Sequence, residues 1–443
     1  MSSPPIPSQS AVARAIRLSY VQAMIGAVYG ASTGGMFLIG YALKLGASNV
    51  QIGLMSTIPM FCVVSQLASS ALVERGVSRR RMTILGASLN VSGWTLIILI
   101  PYIAAQATAN VQISALIAVI TLVTLFAFVS GNARGSWIGD LIPAASRGRF
   151  FGRITMYACI VGTVFALLEG TFLDFVKRMG IEAYSWLFGF GMIFGLINIL
   201  LFAPQADVPL TKREDGGGFF AMVRGTFANG PLMTVVVYAL FWSMQNIAGP
   251  FYATYMLRDL GMPFLGVGII NAAAILSMLS FSPLWGKLVD RYGCRPVLIA
   301  CTAFLVPWPL IWIGLTSPAA VYAVVIPANL LTGFVTAGVA VALNTLVYKV
   351  TPSAGRSVQF AVYALIVTLL AAPLPTLGGS IPALLNKAGF HADLRATFVA
   401  VVPIMLAASL AALRIKEPGS HRPGRLIRDF PSHLRRTQKK SNP

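Results

Sequence analysis

Apolar residues dominate the chain in long runs of about twenty residues, broken by short polar connectors at regular intervals. Marking stretches bounded by charges, Pro/Gly clusters or turns gives twelve runs: roughly 16–40, 50–72, 82–101, 111–131, 153–173, 185–203, 231–256, 264–285, 297–315, 320–343, 357–377 and 396–413. That length matches the helix needed to cross the hydrocarbon core of a bilayer. A lipid-exposed backbone must satisfy its own hydrogen bonds, and the period-two alternation of a membrane barrel is absent. Each run therefore predicts a transmembrane helix, and the expected fold class is an all-α membrane protein.

Composition agrees. Of 443 residues, 56% are hydrophobic and only 10% charged, where a soluble domain carries about 25% charge. A cytosolic enzyme and a disordered chain are both excluded. The net charge of +20 would suggest nucleic acid in a soluble protein, but here the basic residues sit in connectors, and no nucleic-acid partner is expected. With the N-terminus inside, the cytoplasmic face collects 27 of the 33 Lys and Arg and the other face six, which places both termini in the cytoplasm. The stretch Met1–Ser10 is Ser/Pro-rich and leads through Arg14 and Arg17 into a full-length run, unlike a cleavable signal peptide. The four cysteines lack C-x-x-C spacing and the three histidines fall outside the runs, so no disulfide framework and no metal site are expected. No phosphate-binding G-x-x-x-x-G-K-[ST] is present, so direct ATP use is not expected. No cofactor is implied.

The two halves repeat. Tyr41, Lys44, Leu45, Gly46 and Gly53 match Tyr255, Arg258, Leu260, Gly261 and Gly268 at an offset of about 215 residues. Glu74-Arg75 matches Asp290-Arg291, and Pro143 with Arg147 matches Pro352 with Arg356. The expected organisation is a six-helix bundle over 1–203, a polar Gly-rich cytoplasmic linker over 204–230, a second bundle over 231–413 and a basic tail over 414–443. Two parallel six-helix repeats around a midplane site suit alternating access. The tail reads as a disordered arm attracted to anionic lipid.

The segment Gly286-Lys287-Leu288-Val289-Asp290-Arg291-Tyr292-Gly293-Cys294-Arg295 resembles the G-x-x-x-D-R-x-G-R-[RK] signature of major facilitator superfamily (MFS) transporters. A weaker copy runs from Ser70 to Arg81, and Pro143–Arg153 is similar to the connector between the fourth and fifth helices of that superfamily. The drug-exporter motif of the fifth helix and the sugar-porter motif after the sixth are both missing. The resemblance implies a secondary transporter of the MFS fold, with gating by pairing of Glu74 toward Arg356 and of Asp290 toward Arg147 or Arg149, Arg75 and Arg291 lying beside the acids.

Candidates for the cavity come from polar positions at mid-run depth. In the seventh run Tyr238, Trp242, Gln245 and Asn246 share a face at i, i+3 and i+4 spacing; an aromatic plate beside two amides can stack a ring while bonding its edge. Tyr29, Thr33, Thr121, Thr124, Asn329, Thr332 and Tyr363 lie at comparable depth. Glu169 is the one clear acid inside an apolar run, which makes it a candidate for proton coupling or for an interfacial role. With no Arg or Lys at mid-run, the expected cargo is a small neutral or amphipathic organic solute. The partners are then that solute, the bilayer and, through Glu169, protons. The expectation is a monomer in the cytoplasmic (inner) membrane. Alternatives are a drug or metabolite efflux carrier, and a non-transporting MFS-fold assembly factor. A membrane enzyme is disfavoured, because nucleophile, base and orienting group do not meet at one depth. The third run, with Asn90, Ser92, Trp94 and Thr95, is more polar than a lipid-facing position warrants.

Overall fold

The computed structural model describes residues 9–142, 147–205, 219–351, 356–417, 419–421, 424 and 428. Twelve helical segments among them are long and apolar enough to cross a membrane. They are span 1 (Arg14–Lys44), span 2 (Asn49–Val73), span 3 (Arg79–Ile103), span 4 (Ala109–Ile138), span 5 (Arg149–Phe175), span 6 (Glu182–Leu200), span 7 (Gly230–Asp259), span 8 (Phe264–Tyr292), span 9 (Cys294–Gly314), span 10 (Pro318–Val350), span 11 (Gln359–Lys387) and span 12 (Arg395–Leu413). Counting along the chain, odd spans leave the face where the chain enters, the near face, and even spans return to it. Every predicted run has its span, and most spans overrun the apolar stretch, because a helix ladder continues through polar residues that can reach the interface. Arg134, expected in a connector over 132–153, thus lies on a helix that continues to Leu141. The stretch read as a flexible link is in part a helix, Phe219–Ala228. The rest of that link, 206–218, lies outside the described residues.

Backbone contacts divide the chain into two compact units. Unit 1 holds Met1–Glu214 with Pro250–Ile269 and Ala372–Ser380; unit 2 holds Asp215–Gly249, Ile270–Ala371 and Ile381–Pro443. Inside unit 1, spans 2 and 4 are stitched by small polar side chains on backbone carbonyls: Ser65 Oγ to Leu125 O at 3.4 Å, Ser69 Oγ to Val129 O at 3.2 Å and Asn132 Nδ2 to Gln66 O at 3.2 Å. Unit 2 joins spans 8 and 10 the same way, by Ser277 Oγ to Leu330 O at 2.6 Å, Trp285 Nε1 to Phe334 O at 2.7 Å and Asn329 Nδ2 to Ile270 O at 2.8 Å. Such bonds suit a bilayer interior, where apolar surfaces alone give helices little reason to associate. The repeat extends to the turns. Gly46 and Gly261 hold φ of +87° and +62°, and Gly76 and Gly293 hold +92° and +94°, in the corresponding connectors. These are left-handed conformations that only glycine adopts cheaply.

The polar residues of span 3 face inward. Tyr29 Oη donates to Asn90 Oδ1 at 2.8 Å while Asn90 Nδ2 donates to Val123 O at 2.8 Å, and Trp94 is 5% exposed with its ring centroid 5.1 Å from that of Phe188. Span 3 is therefore bonded to spans 1, 4 and 6 within unit 1. In span 9 Thr302 is likewise buried, and its hydroxyl meets that of Tyr238 at 2.8 Å.

Prolines act locally. Pro307 and Pro309 leave the end of span 9 as a 3-10 turn, Trp308–Gly314. Pro373 separates Arg356–Ala371 from Leu374–Lys387. Pro375 sits in the first turn of the second piece, where its missing N–H is harmless. Pro327 lies inside an unbroken helix.

Candidate functional site

Span 1 is interrupted at Thr33-Gly34, between helices Gln9–Ser32 and Gly35–Lys44, and Gly35 has φ +53°. Span 7 is interrupted at matching depth: Gly230–Met244 passes into a 3-10 turn, Gln245–Ile247, before the helix resumes at Gly249–Thr254. The cause is sequence. Pro250 has no N–H to return to the Asn246 carbonyl and its ring crowds that carbonyl, so the ladder stops there and restarts with Pro250 in the first turn. Gly34-Gly35 and Gly249-Pro250 stand 215 residues apart, the offset of the internal repeat. Paired helix breaks in equivalent positions of two repeats point to a candidate binding site, since they free polar main-chain groups inside the spans. This signal was present in the sequence; reading helical period straight across the glycines hid it.

The break corrects the expected face of span 7. Tyr238 and Trp242 lie on the regular helix, but Gln245 and Asn246 fall in the 3-10 turn and so do not continue the i, i+4 row. Gln245 folds back, its Nε2 donating to Trp242 O at 2.9 Å. Asn246 is exposed within its unit and Trp242 half-buried, whereas Tyr238 is fully buried against Thr302. In unit 2, Tyr363 is half-buried, and the Asn329 amide is taken up by Ile270 O. In unit 1, Thr33 Oγ1 donates to Tyr29 O at 2.6 Å and Thr121 Oγ1 to Ile117 O at 2.7 Å, ordinary back-bonds of helical threonine. Thr121 and Thr124 are half-buried. The eleven nominated cavity residues thus divide, Tyr29, Thr33, Thr121 and Thr124 in unit 1 and the others in unit 2.

Glu169 is 4% exposed, inside span 5. Its Oε1 lies 2.5 Å from Ser32 Oγ, at the break of span 1, and its Oε2 is buried with no partner among the described residues. Ser32 Oγ is also 2.9 Å from Val28 O. One hydroxyl hydrogen faces two acceptors. Ser32 can donate to only one of them at a time, and a proton on the Glu169 carboxyl would supply the hydrogen for a second bond. Gly191 of span 6 lies behind Ser32, where a Cβ would stand 2.6 Å from the Ser32 Cβ, so the glycine is what lets the pair close.

Of the nominated gating residues, the side chains of Glu74, Arg147 and Arg356 lie outside the described residues. Arg75, Arg149, Asp290 and Arg291 are exposed in their own units, and the Arg291 guanidinium lies 5.5 Å from the ring centroid of Tyr292.

Other charges, not singled out in the sequence, hold helix ends. Asp174, at the far end of span 5, accepts from the backbone N–H of Phe264 at 2.9 Å and of Leu265 at 2.8 Å, capping span 8 within unit 1. The two backbones approach closely there because position 170 is glycine; a Cβ would sit 3.1 Å from Leu265 N. Phe264 wedges among Phe37 and Tyr184, at centroid distances of 5.8 and 6.2 Å. Thr57 and Thr376 share a hydroxyl bond of 2.8 Å nearby in chain order, beside Gly53, whose Cβ would meet Pro375 O at 2.5 Å.

On the near face of unit 2, Glu417 accepts from Arg295 N at 2.8 Å and from Lys349 Nζ at 2.9 Å, and His421 N donates to Tyr292 O at 3.0 Å. Glu417 caps span 9. Burial pushes its carboxyl up, but the Lys349 and Arg295 donors outweigh it and leave it below the usual carboxylate value. The first residues of the tail are therefore docked, not a free arm. Arg79, counted as a loop charge, is 3% exposed, with Nη1 donating to Ser136 O at 3.1 Å.

Twelve spans, duplicated turns and paired helix breaks are the architecture of a two-repeat membrane carrier fold. Residues 232–441 match the family model of the Major Facilitator Superfamily. Solved structures of that fold align with nearly the whole chain. The nucleoside transporter NupG (D323A mutant) aligns at TM-score 0.71 and 12% identity over 91% of this chain and 100% of that one. A bacterial homologue of the human lysosomal transporter Spinster aligns at 0.68 and 15% over 92% and 97%. A D-xylose–proton symporter aligns at 0.66 and 14% over 94% and 99%. No curated protein matches by sequence. Over residues 232–441 the chain thus matches the Major Facilitator Superfamily, and its fold is the one these solved transporters share.

Proposed function

We propose that the protein moves a small neutral or amphipathic organic solute across the cytoplasmic membrane, coupled to protons through Glu169. The observation that carries the reading is the Glu169–Ser32 pair: a carboxyl group buried in span 5, bonded to the helix break of span 1, where a proton on the carboxyl would supply the hydrogen for a second bond. An ionisable group is costly at that depth and marks a functional position. Binding or loss of its proton changes how tightly span 5 holds the broken end of span 1, which links protonation to the element nearest the proposed site. The remaining nominated residues, Tyr, Thr, Trp, Gln and Asn, offer stacking and neutral hydrogen bonds and no fixed charge, which favours an uncharged cargo. By the excess of basic residues on the near face, both termini are cytoplasmic. The two six-span halves, over 1–203 and 231–413, are the bodies that rock as a monomer. The far-end contacts of unit 1, Asp174 with span 8 and Thr57 with Thr376, must break for the far face to open.

The test is solute uptake into proteoliposomes from a panel that includes a nucleoside and D-xylose, with and without an acidic exterior. The wild type is expected to take up at least one solute faster under the gradient, and Glu169→Gln to transport at a rate indifferent to it. Equal stimulation of both proteins would remove Glu169 from the coupling.

A further inference from the structure

On the other side of Glu169 from its Ser32 partner, residues of spans 5 and 6 in unit 1 form a groove. It is a cavity of ≈ 510 Å³ walled by Phe165, Leu168, Glu169 and Phe172 of span 5 and Trp186 and Phe190 of span 6, with Leu187 and Met179 completing it. Its volume lies in the range of ligand-sized cavities, about 300–1,000 Å³. Leu168, at 57% exposed, and Trp186, at 67%, open toward the bilayer side of the helices. Phe165 and Phe190 stack behind them, with centroids 6.4 Å apart. Glu169 is the one ionisable group in this wall, and its Oε2, buried and without a partner, is an acceptor that no described protein group satisfies.

We propose that this groove binds a membrane-borne amphiphile with a primary amine head, the amine on Glu169 and the alkyl body along the aromatic wall. Three observations select that chemistry. The wall is apolar, so the occupant arrives from the bilayer. The unmet group is a carboxyl oxygen, so the head must bring a hydrogen-bond donor. Glu169 lies six residues before the end of span 5, about 9 Å of helix, so the head sits just below the interface while the body lies deeper. The connector beyond carries Lys177 and Arg178 flanked by Asp174 and Glu182, and its charges balance rather than favouring an anion. Delivered as the free amine, the head takes the Glu169 proton: the N–H bond forms as the carboxyl O–H breaks. An ammonium–carboxylate pair remains, with Ser32 turning its hydrogen to Oε1. A buried charge-assisted pair of this kind is stronger than a neutral hydrogen bond. The inference goes beyond the transport reading and is separable from it, since it is read by binding and holds whether or not the occupant is carried.

The experiment uses the full-length protein in lipid nanodiscs. A diazirine-bearing dodecylamine is photo-crosslinked, the labelled peptide is mapped, and dodecylamine, dodecanol and dodecanoate compete. Labelling is expected within 165–190, with dodecylamine the strongest competitor. Glu169→Gln is expected to weaken dodecylamine about tenfold or more and to leave dodecanol little changed. Leu168→Trp, which fills the groove from its exposed side without touching the Ser32 pair, is expected to abolish labelling there. Label lying elsewhere, equal competition by all three probes, or amine affinity unchanged in either variant would overturn the assignment.

Discussion

At the residue scale, buried polar pairs are placed where each partner needs the other. Tyr238 and Thr302 sit at 0% exposure with their hydroxyls bonded. Removing one partner strands the other, a cost of about 1–3 kcal/mol, whereas removing both is close to neutral. Tyr238→Phe or Thr302→Val alone is thus expected to lower the midpoint of thermal unfolding, and the double variant to recover much of it; additive losses would show that the pair is not coupled. Asn90 is the same case in unit 1, bonded to Tyr29 and to Val123 O. Its polarity in an apolar run was visible in the sequence. Its partners were not, because they lie 61 and 33 residues away and only the packed bundle brings them together.

At the element scale, carboxylates hold helix starts. Asp174 takes both first N–H groups of span 8, an arrangement that satisfies orphan donors and meets the positive end of the helix dipole. Losing such a cap costs about 1 kcal/mol. Asp174→Ala is expected to loosen the far end of unit 1, and a cysteine placed at Thr376 is then expected to react several-fold faster with a membrane-impermeant maleimide than in the parent. Gly53→Ala, which drives a Cβ toward Pro375 O, is expected to do the same. Unchanged reactivity in both would deny these contacts a gating role. Glu417 behaves differently because its carboxyl is held below its ordinary value by Lys349 and Arg295 after burial pushes it up. A depressed carboxyl contributes above its ordinary pKa and loses that contribution as pH falls through the lower value. The docked segment is therefore held at neutral pH and released in acid, and Glu417→Ala releases it at all pH. Tryptic cleavage after Arg414 and Lys416 reports this: slow at neutral pH in the wild type and fast in the variant. Neither cap was legible beforehand, since an acid beside a span end reads as a topology marker until a helix N-terminus 90 or 122 residues away is brought to it.

At the scale of the whole molecule, the twelve spans and the duplicated organisation were readable because a bilayer imposes one length and one polarity on every crossing, and because basic residues collect on one face. What period alone misplaced was the interior of spans 1 and 7, where Gly34-Gly35 and Gly249-Pro250 interrupt the ladder and turn Gln245 and Asn246 out of the row formed by Tyr238 and Trp242. Those breaks, with Glu169 bonded to one of them, are the parts on which solute and proton movement are proposed to depend. The most direct measurement is proton movement in proteoliposomes loaded with a pH-reporting dye, with a transported solute added outside and no gradient imposed. The wild type is expected to acidify the interior as solute enters, and Glu169→Gln to exchange solute with no acidification. Acidification of equal size in both proteins, or solute entry into neither, would contradict the account.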